Sequence, residues 1–190
     1  MSDANPNIPI AIVDPRFYVI TGAPGAGKTA LLRELESRGY RCVPEVARQI
    51  IQEQVRDGGD ALPWANTARY AELMLTRSIG SYLAHALSDG ITFADRGIPD
   101  TLTYARVIEL PETIAMRRAC ENYRYNRRVF MAPAWQDIYH TDAERKQSWA
   151  DAVRVHEILV RVYEELGYEC LELPRASVKE RADFVVANLV

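Results

Sequence analysis

The sequence predicts a three-layer α/β domain in which a parallel sheet carries helices on both faces. Three observations lead there. Five short apolar runs alternate with helical patterns, and such alternation builds parallel sheets through right-handed crossovers. The first run leads into Gly22-Ala23-Pro24-Gly25-Ala26-Gly27-Lys28-Thr29, the G-x-x-x-x-G-K-[ST] phosphate-loop pattern, with a helical pattern after it. Two later runs end in a carboxylate, Glu45 and Asp95. Ligands of such sheets bind at the carboxyl ends of the strands, where these groups converge.

Taken in order, residues 1–15 read as an N-terminal tail. Ile8 to Val13 is apolar enough for a short edge strand, but its proline favours the tail. Residues 16–190 read as one domain. Arg16 to Thr21 is the first strand. Leu31, Leu32 and Leu35 mark one helical face, and Gly39 suits the position just past that helix. Tyr40 to Glu45 is the second strand, and Val46, Ile50, Ile51 and Val55 keep helical spacing until Gly58-Gly59. A long helical stretch runs from Trp64 to Leu87, and Ile91 to Asp95 is the third strand. Pro99 to Val107 and Pro111 to Asn126 read as helices, with Pro111 at a first helical position. Arg128 to Pro133 is the fourth strand.

A polar stretch, Gln136 to Gln147, then leads into a long amphipathic helix with the stripe Trp149, Ala152, Val153, Leu159, Val162, Tyr163 and Leu166. Thr141 and Glu144 are spaced as its capping box. Tyr168 to Leu173 is the fifth strand. The last helix starts near Ser177, with Glu180 completing a second capping box, and buries Phe184, Val185 and Leu189. The whole reads as a three-layer P-loop NTPase, with an acceptor-binding helical region at about 46–90 and a lid at about 136–147.

The chemistry starts at the loop. Its glycines let the backbone turn N–H groups inward as a nest for anionic oxygens, and the following helix N-terminus adds partial positive charge. Gly22, Ala23, Pro24, Gly25, Ala26, Gly27, Lys28, Thr29 and Ala30 are the expected nucleotide-binding residues. Lys28 is expected on the β- and γ-phosphates, and Thr29 as a Mg²⁺ ligand. Asp95 ends its strand as a Walker B-type carboxylate should, placed to hold Mg²⁺ directly or through water opposite Thr29; the bland reading is a loop cap. Arg96, in Asp95-Arg96-Gly97, is placed to pair with phosphate or substrate, or else braces its loop. Glu45 is a candidate base for a substrate hydroxyl, with Arg48 one turn on as a substrate contact; otherwise Glu45 caps the next helix. Arg145 in the lid is the candidate cation for the transferred phosphoryl group, and the alternative is a solvated surface charge. Trp64, Tyr70, Trp135 and Tyr139 read as core rather than as a stacking platform.

Composition removes several classes. A net charge of −3 gives no footprint for nucleic acid. No apolar run is long enough to cross a bilayer and no signal-peptide pattern opens the chain, so a cytoplasmic protein is expected. Three cysteines lack metal-ligand spacing.

Pro44-Glu45-Val46-Ala47-Arg48, Asp95-Arg96-Gly97 and the phosphate loop together resemble the AAA-type predicted-ATPase family that includes the nicotinamide riboside kinase domain of bacterial NAD regulators. The resemblance runs from Arg16 to the last helix. It implies a nucleoside-kinase-like sheet ordered 2-3-1-4-5, ATP and Mg²⁺ as cofactors, and phosphoryl transfer to a small molecule. The acidic and aromatic contacts of the riboside kinases do not align here, which leaves nicotinamide riboside one candidate acceptor. No Asn is followed by Lys, against a regulatory GTPase, and a transporter-type Ser-Gly-Gly is absent. A full AAA+ machine would add a second helical domain for which the expected single domain has no counterpart. The expectation is therefore an ATP-dependent kinase for a nucleoside- or nucleotide-like acceptor. The alternative is a regulatory ATPase or nucleotide-gated switch, and a homodimer is left open.

Overall fold

The computed structural model describes residues 11–138 and 148–190. Five strands form one sheet: β1 (Phe17–Gly22), β2 (Arg41–Val43), β3 (Thr92–Asp95), β4 (Arg128–Ala132) and β5 (Glu169–Glu172). Every pairing is parallel, in the spatial order β2-β3-β1-β4-β5. This is the expected 2-3-1-4-5 sheet. Among the described residues seven α-helices accompany it: α1 (Lys28–Ser37), α2 (Val46–Asp57), α3 (Thr67–His85), α4 (Pro99–Val107), α5 (Ile114–Asn122), α6 (Trp149–Glu165) and α7 (Val178–Ala187).

The central strand shows why the sequence reads apolar throughout. All six residues of β1 are buried, because helices cover both faces of the sheet. Alternate side chains point to opposite faces. Phe17 and Val19 join Val43, Ala94, Val129 and Met131 against α3, α4, α5 and α6. Tyr18 and Ile20 join Phe93 and Phe130 against Leu31, Leu32 and Leu35 of α1 and Ala182 and Val185 of α7. A smaller cluster of Ile50, Tyr70 and Met74 holds α2 to α3.

Helix ends follow local chemistry. Gly39, at φ 91°, closes α1, and Ser177 with Glu180 forms the expected capping box of α7. The start of α6 differs from expectation. Its capping box is Ser148 with Asp151, whereas Thr141 and Glu144 lie outside the described residues, as do Arg145 and most of the expected lid. The helix expected from Pro111 to Asn126 is shorter. Thr113 accepts from the Met116 N–H as its cap, so Pro111 lies ahead of the helix, and Tyr123–Arg124 is already extended. Those two residues pair in parallel with Ile12–Val13. Residues 12–14 are accordingly tied down, in contrast to the expected tail. The buried Asp14 carboxylate accepts from the Arg16 and Leu87 N–H groups at 2.9 and 2.6 Å. Among the described residues, no helix is long and apolar enough to cross a membrane.

Where β1 turns into the loop, Gly22 runs against β4. A Cβ placed on it would lie 2.1 Å from the Ala132 carbonyl oxygen, on backbone that cannot step aside, and its φ of 141° already excludes ordinary side chains. Gly22→Ala is expected to destabilise the fold by about 3 kcal/mol or more, the cost of forced backbone displacement plus strain. Urea unfolding of the two proteins measures this.

Candidate functional site

The loop between β1 and α1 wraps around its own backbone. The Ala26 N–H donates to the Ala23 carbonyl at 3.3 Å, and the Ala23 N–H donates across to Ala132 at 3.2 Å. The helix then begins at Gly27 with φ 74° and no side-chain cap. The first N–H groups of α1 are therefore left for whatever occupies the cleft. Lys28, 7% exposed, folds back and donates from Nζ to the Gly22 and Ala23 carbonyls at 3.3 and 3.0 Å. Burial, reinforced by the Arg96 charge, lowers its pKa to about 8, so it remains largely a cation at neutral pH.

Behind Lys28 stands a knot of charges. Arg96 adopts a left-handed backbone, φ 72°, and spreads its guanidinium over two carboxylates. Its Nε donates to Glu45 Oε1 at 2.8 Å and its Nη1 to Asp100 Oδ1 at 2.9 Å. Asp100 also accepts from Thr21 Oγ1 at 2.6 Å, from the Gly97 N–H at 2.9 Å and from the Tyr163 hydroxyl at 2.6 Å. Glu45 occupies the N-cap position of α2, yet its side chain caps nothing. The helix-capping alternative is thus excluded in favour of the Arg96 pair. Burial by itself would raise the Glu45 pKa; the Arg96 and Lys28 charges outweigh it and hold the carboxyl below the usual carboxylate range.

Asp95 stands apart. It is 8% exposed, and its Oδ1 is buried without a hydrogen-bond partner. Burial raises its pKa, and the Lys28 cation only partly offsets this. An orphaned buried carboxylate oxygen beside a phosphate loop fits a site for a divalent cation. Among the described residues no cluster of three or more His, Cys, Asp or Glu could hold a metal by itself. Mg²⁺ commonly takes one or two protein oxygens and completes its shell with phosphate and water, so Asp95 with Thr29 meets its needs.

These groups share one cleft of about 810 Å³. Of the site residues read from the sequence, Pro24, Gly25, Ala26, Gly27, Lys28, Thr29, Ala30, Glu45, Arg48, Asp95 and Arg96 all line it. Gly22 and Ala23 support the loop from beneath, and Arg145 falls outside the described residues. The same cleft is also lined by Ala47, Ile51, Pro63, Tyr70, Met74 and Tyr104. Tyr70 and Tyr104 meet edge to face, centroids 5.2 Å apart, and the Tyr104 hydroxyl is buried without a partner. Tyr70, expected in the core, is 4% exposed and packs with Ile50 and Met74. Asp100 has as its only sequence signal its place four residues after Arg96 in the first turn of a helix.

A family model described as an AAA domain matches residues 17–181. Among solved structures, a NadR protein in complex with NR superposes with a TM-score of 0.70 at 20% identity; the match covers 91% of this chain and 51% of that one. The chain therefore spans about half the length of that protein. Thymidylate kinase from Ehrlichia chaffeensis gives a TM-score of 0.63 at 15% identity, covering 92% of this chain and 98% of that one. Deoxyadenosine kinase from M. mycoides with bound dATP gives 0.63 at 13%, covering 91% and 98%. Likenesses at these identities establish a shared fold. No curated protein matches the chain in sequence.

The state of Asp95 makes a testable statement. Its folded-state pKa is raised, so the stability linked to its protonated form is fully present below the ordinary carboxylate pKa and is lost as pH rises through the raised value. Asp95→Asn is expected to make the ligand-free protein about 1 kcal/mol more stable near neutral pH, as often happens when a functional group is neutralised. The gain should vanish by about pH 3, where Asp95 is protonated as well. Urea unfolding at the two pH values measures both.

Proposed function

The chain belongs to the AAA-domain family, and we propose that it is an ATP-dependent kinase that passes the γ-phosphoryl group to a small molecule of nucleoside or nucleotide type. One observation carries this reading. Besides the phosphate loop, the cleft of about 810 Å³ is lined by the apolar and aromatic residues Ala47, Ile51, Pro63, Tyr70, Met74 and Tyr104. Hydrolysis alone needs only room for water beside the γ-phosphate. A cleft of this volume, with such walls, suits an organic acceptor beside the nucleotide. The names of the thymidylate and deoxyadenosine kinases, which share the fold, support a nucleoside-like one.

In this reading the loop N–H groups and Lys28 hold the β- and γ-phosphates, Lys28 exchanging its two carbonyl partners for phosphate oxygens. Thr29 and Asp95 hold Mg²⁺, which when bound neutralises charge on the phosphate oxygens. Glu45, ionised because its pKa is lowered, accepts the hydrogen bond of the acceptor hydroxyl and aligns that oxygen with the γ-phosphorus. Arg96 fixes the Glu45 rotamer through the Nε contact and adds positive charge where negative charge accumulates. Tyr70 and Tyr104 place aromatic surface on the cleft wall, suited to a base or other flat acceptor.

The test is ADP release from ATP and Mg²⁺ across a panel of nucleosides, nucleotides and vitamin ribosides. Acceptor-dependent ADP is expected for one chemical class in the panel. Glu45→Gln should lower that turnover by about 100-fold or more, with ATP affinity changed little, whereas Lys28→Ala should weaken both. Slow hydrolysis indifferent to every acceptor would favour a regulatory ATPase, and undiminished turnover in Glu45→Gln would remove Glu45 as the base.

A further inference from the structure

Arg181 lies in the first turn of α7, far along the chain from the phosphate loop, and is 2% exposed. Its Nη2 donates to the Ala26 carbonyl at 3.0 Å. Its Nε is buried with no partner. No carboxylate among the described residues pairs with it, and burial acts on its charge unopposed. A Cβ placed on Gly27 would lie 2.8 Å from Nη1, so the guanidinium sits directly against the residue that begins α1. A helix N-terminus carries partial positive charge and favours anions. A second buried cation at that point, with no counter-charge, is unfavourable on its own.

The peptide geometry shows what this arrangement does. In a trans peptide the carbonyl and the N–H point in opposite directions. The Ala26 carbonyl is turned toward Arg181, so the Gly27 N–H of the same unit is turned away from it, and Gly27 itself lines the cleft. That N–H has no backbone acceptor among the described residues. Arg181 itself does not line the cleft, so it acts through the loop it touches.

We propose that Arg181 is a positioning residue for bound polyphosphate: it sets the Ala26–Gly27 peptide so that the Gly27 N–H faces the cleft, and its unbalanced charge favours the phosphate-loaded state. This rests on the reading that the loop holds nucleotide phosphates. Arg181 thus links the affinity of the loop to the packing of α7, and the cation that is costly in the free protein becomes favourable once anionic oxygens arrive.

Calorimetric titration with ATP·Mg²⁺ and with inorganic tripolyphosphate, beside thermal melting, tests this on the wild type, Arg181→Met and Arg181→Lys. Arg181→Met keeps the length and apolar stem. It should bind both ligands roughly tenfold more weakly, the size expected for one hydrogen bond to a charged group. Its ligand-free melting temperature should equal or exceed that of the wild type, while its ATP-induced rise in melting temperature shrinks. Arg181→Lys retains charge but not the fork, and should recover part of the affinity. Equal affinities in wild type and Arg181→Met would overturn the inference and leave the nucleotide reading standing. A lower ligand-free melting temperature in Arg181→Met, or failure to fold, would also overturn it by making Arg181 an ordinary structural residue. Wild-type protein that binds neither ligand would overturn the nucleotide reading and this inference with it.

Discussion

Arg96 sits in a backbone conformation that a side chain rarely adopts, and its guanidinium joins four elements of the fold. Through Glu45 it reaches the end of β2, through Asp100 the first turn of α4, and Asp100 passes the connection on to Thr21 of β1 and Tyr163 of α6. Left-handed backbone at a non-glycine residue costs about 1–3 kcal/mol and persists only where its surroundings enforce it. Here the enforcement is electrostatic. A half-buried arginine is tolerable when its donors are matched, and the two carboxylates match it from either side. Glu45 therefore enters the cleft ionised and in one orientation, which is what a residue aligning an acceptor oxygen requires.

The balance around that knot is incomplete in a consistent direction. Lys28 leans on two carbonyls that give it no formal counter-charge, Asp95 has a bare buried oxygen, and Arg181 has an unmatched guanidinium nitrogen. Each is a modest local instability. Under the proposed nucleotide reading these groups complement a polyphosphate and its cation: Lys28 and Arg181 match anionic oxygens, and the Asp95 oxygen matches a divalent cation. On that reading Asp95→Asn and Arg181→Met leave the ligand-free protein no weaker.

Much of this was legible in the chain. The five strands, the phosphate loop, the exact span of α4 and the Ser177–Glu180 capping box follow from local pattern, because each depends on residues within a few positions of one another. The misreadings share a different cause. Pro111 looked like a helix start because proline suits that position, but Thr113 offers a capping oxygen that Pro111 cannot. The strand at Ile12–Val13 depends on a partner more than a hundred residues away. Asp100 and Arg181 are ordinary helical residues in sequence. They acquire their roles from Arg96, Tyr163 and the Ala26 carbonyl, which the topology alone brings to them.

The division of labour inside the cleft follows the division of the core. The phosphate end rests on β1, β3 and β4, which are buried almost throughout, so the loop and Asp95 have little freedom to drift. Further lining of the cleft comes from α2 and α3, where Ile50, Tyr70 and Met74 form a small cluster of their own, although α3 also packs on the sheet through Ala71, Leu75 and Tyr82. In the proposed kinase reading, Ile51, Tyr70 and Met74, which line the cleft away from the phosphate loop, are the positions that set acceptor preference, while the loop is held by the strands.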